Sequence, residues 1–152
     1  MSIIYLDFMD TTTELVRWDV PFAEARDPSV SLITERGGDA AMLVVAPSGI
    51  DQYPKYLVRF NRVLVSFCYE EAVSLDRDYR ALTGIERSVC AYLWMDSPWL
   101  RASSGVADLL ELSDLQHYLV FGGDSIVELI ASGQPKVERL DSPGVIESRY
   151  EV

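Results

Sequence analysis

His117-Tyr118-Leu119-Val120-Phe121-Gly122-Gly123-Asp124-Ser125-Ile126-Val127-Glu128-Leu129-Ile130-Ala131 sets two β-prone runs on either side of a Gly-Gly-Asp turn. Aromatic and β-branched side chains suit a pleated, packed surface, and the two glycines are expected to supply the positive φ that tight hairpin turns need. The stretch therefore predicts an antiparallel hairpin. Its downstream neighbour, Lys136 to Leu140, follows the Gly133-Gln134-Pro135 turn and predicts one more short strand.

Moving upstream, Ser97-Pro98-Trp99 reads as a helix start, with a serine oxygen to accept an orphan N–H and proline preset at the first helical position. That helix should stop near Ser103-Ser104-Gly105, and a second short one should run from Val106 to Leu112. The segment Ile85 to Trp94 is ambiguous. Ile85, Val89, Tyr92 and Leu93 would form a helical stripe, yet Val89 to Trp94 would serve equally as a strand.

Tyr56-Leu57-Val58-Arg59-Phe60 and Val63-Leu64-Val65-Ser66-Phe67-Cys68-Tyr69, separated by Asn61-Arg62, predict two strands with a short link or one bulged strand. Val30 to Glu35 alternates, and Gly37-Gly38-Asp39 joins it to the apolar run Ala41 to Val45, which predicts a hairpin. Glu14 to Val20, and more loosely Ile3 to Phe8, read as strands. Ala72 to Gly84 reads as a loop, and residues 141–152 as a fraying tail. About seven to nine strands and one to three short helices, joined by short turns, predict a single α+β domain over 1–152, mainly antiparallel β.

Charge narrows the function classes. Thirteen Lys and Arg against 24 Asp and Glu leave a net charge of −11. Such a field repels nucleic-acid backbones and anionic membranes and attracts basic proteins. The first residues, Met1-Ser2-Ile3-Ile4-Tyr5-Leu6-Asp7, lack a basic region and a long apolar core, so a cytoplasmic location is expected. Cys68 and Cys90 are expected as buried free thiols.

No motif predicts a catalytic residue, a metal site or a cofactor. A serine or cysteine triad would depend on His117, the only histidine, which reads as a strand-end residue. Zinc needs Cys and His at short spacing, and the calcium-loop pattern is missing. Glu70-Glu71 are adjacent in a strand and point to opposite faces, so they form no carboxylate dyad. What remains is surface: Glu70, Glu71, Asp76 and Asp78 as one acidic group, with Asp96 and Trp99 at the start of the helix, are the candidate partner-binding residues.

In size, acidity and lack of catalytic apparatus, the chain resembles the small acidic bacterial immunity proteins of polymorphic and contact-dependent toxin systems. The phrasing of Tyr56 to Phe60, His117 to Phe121 and Ile126 to Ala131 adds to that likeness. The resemblance implies a protein that neutralises a basic cognate toxin, commonly a nuclease domain, by charge-complementary binding. It assigns no residue a role. Two other readings stand beside it: a structural or assembly module of a phage or secretion system, and an enzyme with a site built from scattered carboxylates.

Overall fold

The structure is a computed structural model that describes residues 14–34, 38–46, 53–70 and 84–140. These form β1 (Glu14–Arg17), β2 (Ser29–Thr34), β3 (Ala40–Val45), β4 (Lys55–Phe60), β5 (Val63–Glu70), β6 (Ala91–Met95), α1 (Pro98–Ala102), α2 (Ser104–Leu109), β7 (Leu115–Phe121), β8 (Ser125–Ser132) and β9 (Lys136–Arg139). The strands make two antiparallel sheets, ordered β1-β6-β7-β8-β5 and β2-β3-β4-β9. The fold is thus the mainly antiparallel α+β architecture expected from the sequence. No helix among the described residues is long and apolar enough to cross a membrane.

The hairpin β7–β8 lies inside the first sheet and is covered on both faces. Its register pairs Tyr118 with Leu129 and Val120 with Val127 on one face, and His117 with Ile130 and Leu119 with Glu128 on the other. All eight are buried. Burial on both faces explains why the sequence here is nearly continuous apolar residues instead of an apolar–polar alternation.

Tyr118, Val120, Val127, Leu129 and Ala131 share one core with Met42, Val44, Tyr56, Val58 and Phe60 of the second sheet. Trp18 sits at their junction, with ring centroids 4.9 Å from Tyr118 and 5.9 Å from Phe22, while Phe60 meets Tyr118 at 5.1 Å. Each such aromatic pair adds about 0.5–1.5 kcal/mol beyond the area it buries. On the opposite face of the first sheet, Leu15, Val89, Tyr92, Trp94, Leu119 and Ile126 form a second cluster.

Several expectations need correction or sharpening. Residues 85–90 form turns and the strand begins at Ala91, because the Tyr92 hydroxyl accepts the Glu86 N–H at 2.9 Å and folds the segment back on itself. Ile85 is consequently exposed, with no helical stripe to join. The strand expected over Glu14 to Val20 ends at Arg17, and Trp18 turns into the core.

Asn61-Arg62 does link two strands, but β4 belongs to one sheet and β5 to the other, and Arg62 adopts a positive φ of 50° at the crossing. Gly122 and Gly123 do not take the left-handed φ expected of them. Space is the reason for Gly122: a Cβ there would lie 2.7 Å from the Ser125 carbonyl oxygen and 2.9 Å from that of Pro28. Cys90 is buried as expected, whereas Cys68 is exposed on β5, an outer strand of the first sheet. The strand expected at Ile3 to Phe8, most of the loop expected at Ala72 to Gly84, and the tail 141–152 lie outside the described residues.

Candidate functional site

At the end of β6 the chain turns through Asp96, which takes a positive φ of 51°. Ser97 then caps α1, its Oγ accepting the Leu100 N–H at 3.0 Å, with Pro98 as the first helical residue. The Ser103 hydroxyl donates to the Trp99 carbonyl at 2.7 Å, and α2 follows directly. Ser97 touches His117, which points away from the Tyr118 face, so α1 sits on the side of the first sheet remote from the second.

Beneath α1 runs a chain of hydrogen bonds, buried from Ser97 to Glu128 and half-buried at Tyr69. Ser97 Oγ lies 2.6 Å from His117 Nδ1, His117 Nε2 lies 2.9 Å from Glu128 Oε1, and the Tyr69 hydroxyl donates to Glu128 Oε2 at 2.8 Å. Ser97 is 0% exposed, Glu128 1% and His117 3%. The Trp94 ring stacks on the imidazole, 5.0 Å away at 25°. A neutral imidazole carrying its proton on Nε2 satisfies every member at once: Ser97 donates to Nδ1 while accepting from Leu100, and the Glu128 carboxylate accepts from His117 and Tyr69.

A serine, a histidine and a carboxylate in line invite comparison with a hydrolytic triad, but the surroundings do not support that chemistry. A nucleophilic serine must reach a substrate carbonyl, with donors placed to hold the oxyanion. Ser97 is sealed, and its oxygen is already engaged by the helix it caps. The depression above, walled by Val65, Phe67, Trp99 and Ile130 with His117 and Glu128 at its floor, has no room for a water molecule. What this chain of bonds does is fasten α1 to the hairpin.

His117 is therefore not the strand-end residue expected from the sequence but the centre of a buried brace. Glu128 and Tyr69 escaped the sequence reading. A signal did exist, since Glu128 is the one charged residue within the apolar run Ser125 to Ala131, and strand alternation in the hairpin puts it on the face of His117.

The predicted partner-binding residues divide. Trp99 is 39% exposed, with its ring 5.7 Å from that of Phe67. Asp96 is exposed beside it in sequence and pairs with Arg101 at 3.6 Å. Glu70 is exposed at the end of β5 that pairs with Ser125, whereas Asp96 follows Met95 at the other end of the first sheet. Those two acids do not share a patch. Glu71, Asp76 and Asp78 lie outside the described residues.

Asp108, Glu111 and Asp114 are exposed along and just after α2, beside the exposed apolar residues Val106, Leu109 and Leu110. Among the described residues no cluster of three or more His, Cys, Asp or Glu is arranged to hold a metal ion. Comparison of the chain with protein families, with curated proteins and with solved structures found no match.

Proposed function

We propose that the protein is a non-enzymatic binding module that captures a basic protein partner, as the immunity proteins of polymorphic and contact-dependent toxin systems do. One observation carries this reading: charge is segregated along the described chain. From Ser88 to Pro135 the only Lys or Arg is Arg101, against exposed Asp96, Asp108, Glu111, Asp114 and Asp124. Lys55, Arg59, Lys136 and Arg139 lie instead on β4 and β9, in the second sheet.

An excess of one charge sign steers an oppositely charged protein and raises the encounter rate by roughly 10 to 10³-fold. The test is co-expression with the product of the neighbouring reading frame, followed by size-exclusion chromatography and stopped-flow mixing. The expected result is an equimolar complex whose association slows steeply as salt rises. A partner that is not basic, or an association rate indifferent to salt, overturns the proposal.

A further inference from the structure

We infer that the partner is gripped by α2 and the groove beside it, through an apolar side chain that stands among lysines or arginines on the partner's surface. This rests on the reading that the partner is a basic protein, and adds where it binds and what holds it. Helix α2 buries only Ala107. Leu109 is 85% exposed, and Val106 on the same helix and Leu110 at its C-cap are about half exposed. Three large apolar groups within the five residues Val106 to Leu110 form an exposed face of the kind that marks a protein-binding surface.

Next to that face, Leu110 and Leu112 form one wall of an open groove of about 250 Å³, whose other wall is Val63 and Leu64, with Gly38 and Arg62 at its end. The space suits one large apolar side chain. Its surroundings favour a basic partner: Asp108, Glu111 and Asp114 flank the leucines and Asp39, whose Oδ1 accepts the Arg62 backbone N–H at 3.3 Å, stands at the far end, so four exposed carboxylates surround the groove against the one guanidinium of Arg62. The Leu112 N–H donates to the Ala107 carbonyl at 2.9 Å and Glu111 holds φ 54°, which ends the helix and turns Leu112 toward the groove.

An acidic rim governs how fast a basic protein arrives, while buried apolar anchors govern how long it stays. The experiment is amide NMR of the full chain at low ionic strength, titrated with a helical lysine–leucine peptide, a lysine–serine peptide and a glutamate–leucine peptide of equal length. The lysine–leucine peptide should bind best and shift the amides of Gly105 to Leu112 and of Arg62 to Leu64. The double variant Leu109→Ser, Leu110→Ser changes exposed positions, and its fold is checked by circular dichroism. It should lose about tenfold in affinity, mostly through faster dissociation.

If the lysine–leucine peptide shifts other amides instead, or the variant binds it unchanged, this docking surface is overturned while the basic-partner reading stands. Equal binding of the glutamate–leucine peptide overturns the charge half of the inference. If neither lysine peptide binds, both readings fall.

Discussion

Glu128 sits almost wholly out of water and receives two hydrogen bonds, so its loss should be felt throughout the molecule. Glu128→Ala leaves the imidazole N–H buried without its acceptor and takes one partner from the half-buried Tyr69 hydroxyl, and should destabilise by about 3 kcal/mol in urea unfolding. Tyr69→Phe removes only one donor and should cost about 1 kcal/mol. Equal effects from the two changes would contradict the proposed order of the chain.

Burial also pushes the Cys90 thiol from its ordinary 9.0 to about 11 and the Tyr118 phenol from 10.0 to about 12. Between those values the unfolded chain ionises first and binds fewer protons than the native one. Native stability should therefore be intact below pH 9 and fall as pH rises from about 9 to about 12, which denaturant midpoints will report. At neutral pH a thiol reagent should modify one cysteine quickly, Cys68, and reach Cys90 only on unfolding. The sequence reading put both cysteines in the core, which holds for Cys90 and fails for Cys68, because apolar neighbours in a strand do not reveal whether its outer side is covered.

At the scale of elements, two glycines make a controlled comparison. Gly84 holds φ 92° against β1, and a Cβ there would collide with the Leu15 carbonyl oxygen. Gly105, in α2, has no heavy atom near the corresponding position. Thermal melts should show Gly84→Ala losing about 2 kcal/mol or more, and Gly105→Ala unchanged or gaining up to about 1 kcal/mol.

The hairpins β2–β3 and β7–β8 and the start of α1 were legible because turn residues and caps act over a few positions. Ile85 to Trp94 was not, since the same apolar spacing fits both a helix and a strand, and the deciding bond is that of the Tyr92 hydroxyl. The brace was half legible. Glu128 and His117 meet within one hairpin, whereas Ser97 reaches His117 only because a helix is laid across the sheet.

Over the whole molecule, the net charge was readable at once but its placement was not, because strand order decides which charges become neighbours. The chain crosses between sheets three times, from β1 to β2, from β4 to β5 and from β8 to β9. The middle crossing spends only Asn61 and Arg62. So short a stitch leaves neither layer slack to peel away by itself. Heat or denaturant should therefore melt both layers in one step, with circular dichroism and tryptophan emission tracing the same curve. Cutting the backbone at that stitch should turn one sharp melting event into two.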